Sequence, residues 1–145
     1  MTVPRARRSA SPRRANSVEG VAHPRMYSDD DPFLTEIREI CLAFPEAIEK
    51  EAWGRPTFRA GKMFAVFAGD DDHRFTLEFK PDPEDRDALI QDARVFVPPY
   101  SGASGWLALD LAAAPVDWDE IRELVESSYR LIALKRMLKD LDART

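Results

Sequence analysis

Cysteine is almost missing from this sequence: Cys41 stands alone among 145 residues. An intramolecular disulfide is therefore excluded, and a reducing cytoplasm is the expected compartment. Cys41 lies in an apolar helical stretch with no base nearby, which reads as a small buried hydrophobe rather than a reactive thiol. Histidine is nearly as scarce. His23 falls in a polar tail and His73 beside a turn, so no serine or cysteine has an evident histidine base. There is no G-x-S-x-G elbow, no phosphate-cradling glycine loop and no Cys/His zinc spacing. Carboxylates are abundant, but none is marked by the apolar surroundings that would separate a general acid from a general base. No apolar run is long enough to span a bilayer, and the N-terminus lacks the apolar stretch of a secretory leader. The expectation is a protein without cofactor, metal site, membrane partner or catalytic constellation.

What is present is an ordinary globular composition, 44% hydrophobic and 32% charged, on a chain of single-domain length. The net charge of −5 hides an asymmetry. Residues 1–26 carry Arg5, Arg7, Arg8, Arg13, Arg14 and Arg25 against Glu19 alone. Residues 27–145 hold the remaining 15 basic and 25 acidic side chains. The first segment has no hydrophobic period and is expected to be a disordered basic tail. It reads equally as a plain extension or as a nucleic-acid arm. Pro4, Pro12 and Pro24 argue against an amphipathic transit helix. The second segment, 27–145, is expected to be one acidic α+β domain, and an acidic body repels a phosphate backbone.

Along that domain, Asp31 and Pro32 read as the N-cap and first position of a helix carrying Phe33, Ile37, Ile40, Cys41 and Phe44. Gly54 and Pro56 introduce a β region. Thr57–Ala60 and the apolar Met63–Ala68 flank a Gly61-Lys62 turn. Asp70-Asp71-Asp72-His73 forms the next hairpin loop. Phe75–Lys80 alternates strictly, which sends Phe75, Leu77 and Phe79 to the core and Thr76, Glu78 and Lys80 outward. A short helix follows Asp82, then strands at Arg94–Val97 and Trp106–Leu111 around a proline-rich loop. One long final helix starts at Asp117, with Glu120 completing a capping box and Val116 and Ile121 forming a staple. Its core stripe is Ile121, Leu124, Val125, Ser128, Leu131, Ile132 and Leu138. Lys135, Arg136 and Lys139 are expected to close it, where cations suit the helix dipole.

Five stretches in this order resemble the MmcQ/YjbR family. They are Arg38–Ala43 with Pro45, the Trp53-Gly54-Arg55-Pro56-Thr57-Phe58-Arg59 run, Gly61–Ala65, Pro99-Tyr100 with Gly105-Trp106, and Ser128–Leu131 with Lys135-Arg136. The similarity spans roughly residues 30–142. It implies a CyaY-like fold, an antiparallel sheet with helices packed on one face, and DNA binding through two β-hairpin wings. That function is itself a fold-level analogy. The two tips differ here: Gly61-Lys62 suits a phosphate, whereas Asp70-Asp71-Asp72 repels one.

The residues expected to touch nucleic acid or another ligand are Trp53, Arg55, Arg59, Lys62, Arg74, Lys80, Tyr100 and Trp106. The cations would neutralise phosphates, or else are solvated and balance nearby acids. The aromatics would stack on bases or line a pocket, or else pack beneath the proline-rich loop. The sequence therefore supports a small non-enzymatic binding module of this type, contacting DNA through its hairpins. The alternative is a module for a small molecule or protein partner, using an aromatic and basic pocket on the sheet formed by Trp53, Arg59, Lys80, Tyr100 and Trp106.

Overall fold

The computed structural model describes residues 24–144. The bulk of the expected tail, residues 1–23, lies outside the described residues. The rest of it packs: the Met26 N–H donates to the Gly54 carbonyl at 2.9 Å, and Arg25 pairs with Asp29 at 3.0 Å.

Helix α1 (Leu34–Leu42) leads into strands β1 (Ile48–Ala52), β2 (Arg55–Ala60), β3 (Lys62–Ala68) and β4 (Thr76–Phe79). Then come the short helix α2 (Arg86–Ile90), β5 (Val95–Phe96), a single 3-10 turn (Ser101–Ser104), β6 (Leu107–Asp110) and helices α3 (Trp118–Ile132) and α4 (Lys135–Ala143). The six strands form one antiparallel sheet in the order β1-β2-β3-β4-β6-β5. This is the expected α+β class.

Period-two alternation decides what each sheet face carries. Phe58, Ala65, Phe79 and Leu107 are in register across β2, β3, β4 and β6, as are Phe67, Leu77, Leu109 and Val95 across β3 to β5. These residues join Leu34, Ile37 and Cys41 of α1 and Ile121, Val125 and Tyr129 of α3 in the principal core. Burial pushes the Cys41 thiol far up, so it is inert as a nucleophile. Tyr129 is fully buried, stacked on Phe44 at 4.8 Å and edge-on to Phe64 at 5.2 Å, and its hydroxyl donates to the Pro45 carbonyl at 2.8 Å. Ser128 joins three elements. Its hydroxyl donates to the Phe64 carbonyl at 2.6 Å and accepts the Lys80 N–H at 2.9 Å.

The local structure departs from the sequence reading in several places. Helix α1 starts at Leu34, not at Pro32, because Asp31 is spent on a turn: its carboxylate accepts the Ser28 N–H at 3.0 Å. Strand β1 was not foreseen. Its residues, Ile-Glu-Lys-Glu-Ala, are charged because they form a sheet edge, where charge blocks pairing with another chain. Asp117 caps α3 as expected, accepting the N–H groups of Asp119 and Glu120. The Glu120 side chain completes no box, because it pairs with Arg94 at 2.9 Å.

The expected single final helix is two. Ala133 and Leu134 are extended, and Leu134 lies against the Gly61 turn. Leu131 is consequently exposed, and Tyr129 takes the buried position. Lys135 and Arg136 thus begin α4 instead of ending α3, at the positive end of a helix, where the dipole opposes them. Arg136 is compensated by Glu46 at 2.8 Å.

Candidate functional site

The helices cover one face of the sheet, and the other face carries a separate group of residues. In register across it are Lys50, Thr57, Val66, Glu78, Ala108 and Phe96. Thr76 and Asp110 lie toward the Gly69 loop, and Arg59 with Met63 toward the Gly61 turn. The floor is made of small residues: Thr57, Thr76 and Ala108 are buried without belonging to the principal core. Long polar side chains and the 98–105 loop rise around them.

Glu78 sits in the middle of this face. The Ser101 hydroxyl donates to its Oε1 at 3.2 Å. Burial raises its carboxyl above the ordinary glutamate value, and the Ser101 hydrogen bond and the nearby Arg55 charge offset only part of that. Alternation correctly assigned Glu78 and Thr76 to the side away from the core. It did not foresee that Thr76 would be buried and Glu78 partly covered, because the loop that folds back is distant in sequence.

Of the expected site residues, Arg59 and Lys80 belong to this face, on β2 and just past the end of β4, with β3 between them. Arg59 is half-buried, and its Nε donates to the Thr57 hydroxyl at 3.1 Å, an oxygen that itself donates to the Lys50 carbonyl. Among the described residues, neither the outer guanidinium nitrogens of Arg59 nor the Lys80 ammonium has a carboxylate partner. That sets them apart from Arg38, Arg94, Arg130 and Arg136, each bound to carboxylates that staple elements together. Lys80 runs alongside Gly105, which places it beside the loop.

The remaining six are distributed otherwise. Arg55 is a structural tie, since its guanidinium donates to the Met26 carbonyl at 3.1 Å and the Gly69 carbonyl at 2.6 Å. Trp106 is only 9% exposed and cannot serve as an open stacking surface; its N–H is held by the Ser101 carbonyl as the loop folds over. Tyr100 is 97% exposed and holds a backbone conformation (φ 66°, ψ −73°) that a bulky residue rarely adopts. Trp53 lies in the β1–β2 turn and Arg74 stacks over Phe75 at 5.3 Å. Both sit at the end of the sheet remote from Arg59, so Trp53 drops out of the expected pocket. Lys62 is exposed at the Gly61 turn.

The two expected wing tips lie at opposite ends of β3, because one turn begins that strand and the other ends it. Seven extended residues separate them, roughly 20 Å at 3.3 Å per residue. The Asp70 loop is organised from within: Asp70 Oδ1 accepts the N–H groups of Asp72 and His73 at 2.9 and 2.7 Å. The His73 ring stacks on Phe96 at 4.0 Å. Asp70 and Asp71 line one hollow together with Asp31, and Arg25, Arg55 and Arg74 line it as well, so acids and bases are balanced there. Among the described residues, no cluster of His, Cys, Asp and Glu could hold a metal ion, and no helix is long and apolar enough to cross a membrane.

Comparison with known proteins adds a family model described as YjbR, which matches residues 42–131. A crystal structure of a Deinococcus radiodurans protein with a DUF419 domain superposes with a TM-score of 0.60 at 23% identity, covering 73% of this chain and 85% of that one. At that identity the likeness concerns the fold. No curated protein matches the sequence.

Proposed function

The chain belongs to the YjbR family, and from that premise we propose that it is a non-enzymatic binding module whose working surface is the helix-free face of the sheet. That face takes a small molecule or a segment of a partner protein. The observation that carries this reading is Arg59, held by its Nε on the Thr57 hydroxyl and without a carboxylate partner among the described residues, on the same uncovered face as Lys80 and the half-covered Glu78. In a chain whose other arginines mostly bind carboxylates, a cation left over between Ile48 and Met63 on an uncovered sheet face is a group available to a ligand.

Duplex DNA is supported less well. Tips at opposite ends of β3 do not act as paired wings on one groove, and the Asp70-Asp71-Asp72 tip repels phosphate. A thermal-shift screen of the full chain against a panel of neutral and charged metabolites, beside anisotropy with a fluorescent duplex, tests the reading. The expected result is a metabolite that raises the transition in the parent protein and not in Arg59→Gln. Salt-steep duplex binding that is lost in Lys62→Glu, with no metabolite effect, would overturn it.

A further inference from the structure

We propose that the groove between α1 and α3 docks a basic amphipathic segment of a partner protein. This surface lies on the helix-bearing side of the molecule, away from the sheet face described above, and does not depend on it.

Helix α1 buries Leu34, Ile37 and Cys41 in the principal core. Helical spacing then places Glu36, Glu39, Ile40 and Ala43 together on a neighbouring face. A hollow of about 410 Å³ lies between Glu36, Glu39 and Ile40 and, on α3, Trp118 and Glu126, with Leu141 of α4 at one end. A second hollow, about 610 Å³, opens at the start of α1 beside Phe33 and Val116. Glu36 and Trp118 line both, so the two form one continuous groove. The Trp118 ring is set by packing on Phe33 at 6.5 Å.

The lining of this groove describes its occupant. Its floor is apolar, made by Ile40, Phe44, Trp118 and Leu141. Its rim is acidic: Asp31, Glu36, Glu39 and Glu126 stand against one lining base, Arg122. Arg122 is committed to Asp119 at 3.0 Å, and Glu126 to Arg130 at 3.0 Å. At the far end Arg144 is spent on the Ala43 carbonyl at 2.8 Å. Glu36 and Glu39 are exposed and have no partner among the described residues. An apolar floor asks for apolar side chains, and two free carboxylates at its rim ask for cations. Arginine supplies both, since its stem lies on apolar surface while its head reaches a carboxylate. A lone small cation would satisfy a carboxylate and leave the floor wet. The groove runs beside the nine residues of α1, about 14 Å, or between two and three turns of a docked helix. A basic amphipathic helix with its apolar face inward fits that length and that lining. The acidic balance of residues 27–145, 25 acids to 15 bases, steers such a segment toward the domain.

The test is a titration of the isotope-labelled full chain, followed by amide chemical shifts. The probe is a synthetic amphipathic peptide of leucine and arginine, about 14 residues long so that it can hold a helix. It is expected to move the amides of Glu36, Glu39 and Ala43 and the indole N–H of Trp118. Glu36→Gln combined with Glu39→Gln should weaken the peptide about fivefold, the scale of two exposed ion pairs. Neither side chain holds the fold together, so the variant keeps its structure. Asp87→Asn, on the exposed side of α2, should leave the affinity unchanged. Equal affinity for a peptide with glutamine in place of every arginine would overturn the proposal. Shifts confined to Asp82–Asp87 would overturn it too, because the peptide would then be following bulk charge. A third outcome tests the chain against itself. If the double variant moves the amides of Arg5 to Arg14 with no peptide present, the chain's own first segment fills the groove, and the partner assignment falls.

Discussion

A single hydroxyl, that of Ser128, answers a carbonyl on β3 and an N–H just past β4 from a helix on the other side of the core. Replacing it by alanine leaves both backbone groups buried and unpaired. Ser128→Ala is expected to cost roughly 2–4 kcal/mol, read from urea unfolding. Glu78 gives the opposite sign. Its folded carboxyl holds its proton more tightly than the unfolded one, whose ordinary value is 4.5. Stability linked to this group is full below that value and is lost as pH rises through the higher folded value. Glu78→Gln should therefore raise the melting temperature at pH 7 by a few degrees, and the advantage should vanish on acidification below pH 4.5. Asp92 titrates the other way. Hydrogen bonds from Arg94 push it down to about 2, so its contribution is intact above 3.8 and lost toward that lower limit. A pH series on Asp92→Asn should show a deficit against the parent protein that closes over this acidic window. At this scale the sequence was legible where chemistry is local, as in the Asp117 cap. It was opaque where a distant loop changes the environment, as for Glu78 and Trp106.

At the scale of elements, strands with apolar alternation were readable because the core face imposes its period on the sequence. Strand β1 was not, because its side chains meet Arg38, Tyr27 and solvent rather than the core. The split between α3 and α4 was also hidden. The apolar stripe runs on past Ala133, and only contact of Leu134 with the Gly61 turn explains the break. The β1–β2 turn is another tertiary decision. Gly54 has φ 75°, and a side chain there would place Cβ 2.2 Å from the Pro24 carbonyl oxygen. Gly54→Ala should cost about 1–3 kcal/mol through strain and displacement of the 24–27 segment. Hydrogen exchange should show loss of protection at the Met26 amide ahead of any change in β3.

Over the whole molecule, family and fold were legible because they are written in ordered runs such as Trp53–Arg59 and in the helix that buries Ser128 and Tyr129. The candidate surface was legible only in part. Arg59 and Lys80 share the helix-free face, but which of eight named side chains share a surface depends on strand order, and adjacency along the chain does not give it. The same strand order fixes the ends of β3. Lys62, with Lys135 close behind Leu134, lies at one end; at the other, Asp70 to Asp72 and Asp31 are met by Arg25, Arg55 and Arg74. Trp53 stands at that second end, about half exposed, while Trp106 is covered by its loop. A collisional quencher dissolved in the liquid should therefore reach the emission of Trp53 well before that of Trp106.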